Sequence, residues 1–292
     1  MYADDIVILS QSKKGLQKRI DILKFFCHNW CLELNLSKTK IIIFKKPGKF
    51  LKSRFQYDNK VIDCVKNYKY LGISFISSGS SGSFYYAKEE LYKKSLKASY
   101  NLQKCISSSN PSISTIVHLF DHTIKPILLY GCEITGFFKP DSAACKKQND
   151  YLFEKVYCND FMEKAHMKFL KYYLGVNIRS SNLAVLSEYN RFPLYFSVIL
   201  AMLKYLHRLE NLKDGLLYQA YMCNKALNSN KTNSWYSCTS YILSKLDIKE
   251  LNISASILSK LAIKHYAMIL LDIGKKTDHK LFKMGMVNRH LF

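Results

Sequence analysis

Two neighbouring carboxylates, Asp4 and Asp5, stand in Tyr2-Ala3-Asp4-Asp5 directly before an apolar run, Ile6-Val7-Ile8-Leu9. β-Branched residues in so short a run predict a buried strand. Acids at the mouth of such a strand are costly unless a cation or solvent meets them. Paired hard oxygen donors suit Mg²⁺, particularly where the ion also holds substrate phosphates. The chemistry open to this pair is therefore phosphoryl transfer, in which carboxylates hold metal ions between an attacking hydroxyl and a triphosphate. The alternative reading is a solvated turn.

A second candidate is Lys38, in Leu34-Asn35-Leu36-Ser37-Lys38-Thr39-Lys40. A lysine beside a phosphate site could protonate or neutralise a departing pyrophosphate; by itself the segment also reads as a polar helix-to-strand loop. The third is Tyr70-Leu71-Gly72, where glycine lets the backbone approach another chain closely, or marks a bulge. Asp58 and Asp63 read as turn and edge residues. Cys27, His28 and Cys31 lack a second ligand pair downstream and read as helix residues rather than a zinc site. The nine cysteines contain no Cys-x-x-Cys, which predicts reduced intracellular thiols and no disulfide-linked partner.

The elements that must position these groups follow from hydrophobic spacing. Ser12 is a plausible N-cap, and Leu16, Ile20, Leu23, Cys27 and Trp30 follow helical spacing. Ile41-Ile42-Ile43-Phe44 predicts a second strand, so strand, helix, strand suggests an α+β sheet layer carrying one helix. Asp58-Asn59-Lys60 predicts a hairpin turn between Tyr57 and Val61-Ile62, and Tyr68–Phe75 partly alternates as a strand. Ser77–Ser83 reads as a flexible linker. Beyond it the pattern is helical: Leu91, Ala98, Leu102 and Ile106 outline a basic amphipathic helix. Asn110-Pro111 reads as a cap and first-turn proline for the stripe Ile113, Ile116, Val117, Phe120, Ile124, which Pro126 should stop. Further helices are expected near 151–174, closed by Gly175, from Pro193 to about Glu210, and over Leu251–Leu271. Asn228–Ser234 should separate the last set.

A chain of 292 residues, 48% hydrophobic and 14% aromatic, belongs with folded rather than disordered proteins. Its net charge of +22 favours polyphosphate partners. Residues 1–110 carry +12, 111–210 carry +3 and 211–292 carry +7, so the outer thirds are the expected nucleic-acid faces and the middle is expected to pack. Leu194–Leu206 is too short to span a bilayer and reads as a core helix; no membrane partner and an intracellular location, in nucleus or cytoplasm, are expected.

Taken in order, Tyr2-Ala3-Asp4-Asp5, Asn35 with Lys38-Thr39, and Tyr70-Leu71-Gly72 resemble the late palm motifs of non-LTR, LINE-type retrotransposon reverse transcriptases. Pro126-Ile127-Leu128-Leu129-Tyr130-Gly131-Cys132-Glu133 is similar to their thumb-region segment, and Lys171–Asn177 and Arg191-Phe192-Pro193-Leu194 resemble segments beyond it. The resemblance implies RNA-directed DNA polymerisation with Mg²⁺, an RNA template, a DNA primer and dNTP. It implies Asp4 as a metal ligand with Asp5 its weaker partner, and Tyr2 and Ala3 beneath the primer end and the nucleotide. It further implies Lys38 as acid at the pyrophosphate, and Tyr70, Leu71 and Gly72 gripping the primer. Lys93, Lys94, Lys97 and Lys104 would contact backbone phosphates of the RNA/DNA duplex.

The corresponding divisions are a partial palm (1–46), a primer-grip-like β-hairpin segment (47–76), the Ser/Gly linker (77–83), a helical thumb-like region (84–210) and a C-terminal helical region (211–292). The family's third palm carboxylate would precede Met1, so the chain reads as a C-terminal fragment expected not to polymerise alone. A non-catalytic basic nucleic-acid-binding module is the alternative. A helical protein-interaction domain is the third reading, and it leaves the ordered motifs unexplained.

Overall fold

The computed structural model describes residues 5–44, 54–77, 84–106, 109, 111–136, 160–229 and 234–245. They form an α+β protein that divides into two compact units, Met1–Ala87 and Lys88–Phe292. The predicted linker, apart from Ser77, and the predicted helix Leu251–Leu271 lie outside the described residues.

The first unit holds one helix and two hairpins, with the helix packed on the first of them. Helix α1 (Lys13–Asn29) starts where the Ser12 hydroxyl accepts a hydrogen bond from the Gly15 amide at 3.1 Å. Its Ile20 joins Ile41, Phe55, Tyr57 and Ile62 in a small core, with Leu16, Leu34, Leu36 and Ile43 packed on it. Strands β1 (Phe55–Tyr57) and β2 (Lys60–Ile62) pair antiparallel, with Tyr57 opposite Lys60. Asp58 and Asn59 turn the chain at φ 49° and 60°, the left-handed pair that a two-residue hairpin requires and that Asp and Asn tolerate. Gln17 closes the free side of β1: its amide donates to the Gln56 carbonyl at 2.8 Å and accepts from the Gln56 amide at 3.1 Å.

Strands β3 (Asn67–Tyr70) and β4 (Ile73–Ile76) form the second hairpin. The single strand expected over Tyr68–Phe75 is thus folded in two, because Leu71 and Gly72 both take left-handed backbone, φ 45° and 81°.

Other expectations are corrected. Ile6–Leu9 is not a strand: Ile6, Val7 and Leu9 are exposed, and only Asp5 sits in an isolated bridge. Apolar β-branched sequence supplies propensity, but a strand needs a ladder partner, and no described strand runs beside this segment. Ile41–Phe44 likewise reduces to one parallel bridge, Ile41 with Cys64. Trp30 caps α1 from its exposed side instead of joining its buried stripe.

The second unit is helical. Helix α2 (Tyr85–Ile106) opens just before the unit boundary. Helix α3 (Ile113–Leu119) is capped by Ser112, not Asn110, and Pro111 stays outside it. Pro126 does not stop the stripe. The chain widens into a π turn, Phe120–Ile124, and resumes as α4 (Lys125–Leu128) with Pro126 in its first turn, where a missing N–H is harmless.

Then come α5 (Cys132–Thr135), α6 (Phe161–Leu174), α7 (Asn182–Glu188), α8 (Leu194–Glu210), α9 (Gly215–Ser229) and α10 (Trp235–Lys245). Asn228 and Ser229 therefore still belong to a helix. Helix α8 is the hub, with Val198, Met202, Leu203 and Leu206 almost fully buried, and it packs against α5, α6, α9 and α10.

Candidate nucleic-acid interface and polymerase site

In the first unit the loop carrying Lys38 is stiff. The Asn35 carboxamide oxygen accepts from the Ser37 hydroxyl at 2.7 Å and the Lys38 amide at 3.1 Å, while the Asn35 carbonyl accepts from the Thr39 amide and hydroxyl. This is the local side-chain-to-backbone bonding that asparagine offers in turns. The Lys38 carbonyl then accepts from the Tyr68 hydroxyl on β3 at 3.1 Å. That bond brings two of the three predicted motifs together, since β3 leads into Tyr70-Leu71-Gly72. The neighbouring Lys40 is held by Asp63 at 2.6 Å, whereas the Lys38 side chain is exposed and makes no ion pair with a described residue.

Asp5 is exposed and forms no ion pair with a described residue. Its segment is tied to α1 by a hydrogen bond from the Arg19 guanidinium to the Leu9 carbonyl. Tyr2, Ala3 and Asp4 lie outside the described residues. A carboxylate oxygen is the right donor for Mg²⁺. Among the described residues, however, no three His, Cys, Asp or Glu side chains converge on a metal position, so Asp5 alone does not constitute a site. At the hairpin tip Leu71 and Gly72 are exposed, with Tyr70 half-buried.

In the second unit α2 carries the predicted lysines. Lys93, Lys94, Lys97 and Lys104 are all exposed. Lys93, Lys97 and Lys104 recur at helical spacing on one face, and Lys93 also pairs with Glu89 at 2.8 Å. The exposed Tyr100 falls in the same stripe, and the Lys168 ammonium of α6 lies 5.7 Å from its ring centroid. A face of cations around an aromatic ring can meet phosphates and stack a base. Tyr100 could have been found by extending the lysine spacing; Lys168 could not, because tertiary packing alone brings it there.

Lys88, on the buried side of α2, instead pairs at 2.8 Å with Asp160, which also caps α6.

Residues 1–75 match the family described as "Reverse transcriptase (RNA-dependent DNA polymerase)". This stretch is similar to reverse transcriptases. A wider span is similar to a protein of Drosophila melanogaster, "Probable RNA-directed DNA polymerase from transposon BS", at 26% identity over 143 residues. That match covers 46% of this chain but 16% of the fly protein. No solved structure matches. The matched segment includes Asp4, Asp5, Lys38 and the Tyr70-Leu71-Gly72 hairpin.

The later motifs have structural explanations. Gly131 adopts φ 66° ahead of α5, and the Glu133 carbonyl accepts from the Trp235 indole at 2.8 Å. Cys132 is buried, which pushes its thiol up to about 12. Lys171 is buried and donates to the Ile178 carbonyl at 2.8 Å, burial holding its ammonium below the ordinary lysine range. Gly175 ends α6 at φ 68°.

Arg191 grips Asp121 with two bonds, 2.9 and 2.6 Å, and its guanidinium lies 5.2 Å from the Phe120 ring centroid. The amide of Leu194, first in α8, donates at 2.8 Å to Glu163, whose other oxygen lies 3.2 Å from His166 Nδ1. A carboxylate at a helix N-terminus is favourable in charge as well as hydrogen bonding. These motif residues hold the fold of the second unit together.

Proposed function

We propose that residues 1–75 supply the late palm part of an RNA-directed DNA polymerase, and that the second unit holds a template–primer duplex by phosphate contacts. The reading is carried by the reverse-transcriptase match over residues 1–75, which takes in the acidic pair, Lys38 and the Tyr70-Leu71-Gly72 hairpin. Asp4 and Asp5 would hold Mg²⁺, which supplies charge neutralisation at the phosphates. Lys38, on a rigid loop bonded to Tyr68, would place its ammonium at the departing pyrophosphate. Leu71 and Gly72, at an exposed tip, would meet the primer backbone.

The stripe Lys93, Lys97, Tyr100 and Lys104 would track the duplex without reading its sequence. Contacts of this kind position a nucleic acid and make affinity salt-dependent.

A fluorescence-anisotropy titration with an RNA/DNA hybrid, repeated across salt, tests the binding half. Steep loss of affinity with salt and little sequence preference support it; no binding at moderate salt refutes it. Primer extension with Mg²⁺ and dNTPs tests the catalytic half against an Asp4→Ala control. The second reading, a basic module without catalysis, is favoured by the +22 charge; Mg²⁺-dependent incorporation above the Asp4→Ala control would exclude it and would overturn the expectation that the chain does not polymerise alone.

A further inference from the structure

His118 and His122 lie one helical turn apart, both exposed, with ring centroids 3.9 Å from each other. No role proposed above uses them. Two imidazoles at i and i+4 on one helix face are the spacing by which helices present paired nitrogen ligands to a metal. Here the backbone between them departs from an ordinary α-helix. His122 lies in the π turn Phe120–Ile124, where the Lys125 amide bonds the Phe120 carbonyl five residues back. Such a widened turn changes the side-chain register of an ordinary helix, and π turns recur at functional positions.

The His122 ring is also oriented. Its Nδ1 lies 2.9 Å from the His118 carbonyl, and donating there leaves Nε2 with its lone pair free. Fixing one ring nitrogen on a backbone carbonyl so that the other can ligate is the outer-shell arrangement that metal-binding histidines use. The Thr123 hydroxyl, bonded to the Leu119 carbonyl at 2.6 Å, braces the same turn.

We propose that His118 and His122 form a two-histidine clamp for a late first-row divalent ion of the zinc, copper or nickel class, with water completing the coordination. Imidazole suits these ions, whereas Mg²⁺ prefers oxygen donors. The clamp is therefore chemically separate from the carboxylates at the N-terminus. It is also independent of the polymerase reading.

The test is isothermal titration of the full chain with Ni²⁺ under reducing conditions. Nickel is chosen to limit competition from the cysteine thiols. The expected result is a site whose Kd rises at least tenfold in His118→Ala and in His122→Ala, while His28→Ala leaves it unchanged. Both side chains are exposed, so circular dichroism of the variants should match the wild type. A second measurement, paramagnetic broadening of histidine ring resonances by Ni²⁺, should single out His118 and His122. Titration curves unaltered in the double variant, or broadening centred on other histidines, would overturn the proposal.

Discussion

Replacing Arg191 by alanine should be among the most damaging single changes in the second unit. Its side chain is 9% exposed and its guanidinium makes both of its carboxylate bonds to Asp121, whose side chain is 30% exposed. Breaking a fully buried pair by removing one partner costs roughly 3–5 kcal/mol. Because solvent reaches Asp121, the expected loss for Arg191→Ala is about 2–3 kcal/mol, including the lost contact with Phe120.

The pair also leaves a pH signature. Burial would raise the Asp121 carboxyl, but the Arg191 bonds and charge, aided by Lys125 and His166, outweigh it and hold the group below its ordinary value. The stability it contributes is therefore present above the unfolded carboxylate range and fades as pH falls through the lower folded value. Urea denaturation of wild type, Arg191→Ala, Asp121→Asn and the double variant measures the coupling. A loss under about 0.5 kcal/mol for Arg191→Ala, or purely additive effects in the cycle, would show that this pair does not act as a unit.

Four further outcomes are expected. His166 is fully buried, and burial holds it below its ordinary 6.5 despite Glu163. Stability should then fall as pH drops below that value, and thermal melts of His166→Gln should show a weaker dependence over the same range. Gly136→Ala should cost about 1–3 kcal/mol by overpacking, since a Cβ there would stand 2.3 Å from the Val198 side chain and 2.5 Å from the Cys132 carbonyl. Gly175→Ala meets no atom within 4 Å but must adopt φ 68°, so denaturation should show a strain cost of about 1–2 kcal/mol. Converting Lys93, Lys97 and Lys104 to glutamine should lower the slope of log affinity against log salt for a nucleic-acid duplex by about 2.7, if each contacts one phosphate.

Much of this architecture was legible where local chemistry decides it. The Ser12 cap, the Asp58-Asn59 turn, the Gly175 terminus and the helix after Pro193 all follow from residues acting on their own neighbourhood. Ile6–Leu9 and Ile41–Phe44 misled because strand propensity was read as pairing, which is a tertiary matter. Pro126 misled because the π turn before it removes the conflict that proline normally causes. Around the candidate site the Lys38 segment was legible as a loop, but the second hairpin and the Tyr68 hydroxyl that ties it to that loop were not. Arg191 showed in the sequence only as part of a resemblance; its partner Asp121 lies 70 residues away, a pairing that no spacing rule anticipates.

The clasp of Gln17 on Gln56 has a consequence for how the first unit behaves in a crowded solution. A short outermost strand with bare amides and carbonyls invites a foreign peptide to extend the ladder, and repeated extension leads to fibres. By engaging both hydrogen-bonding groups of Gln56, one side chain takes that template out of circulation. A Gln17→Ala protein would accordingly be expected to self-associate on concentration before it loses its helix.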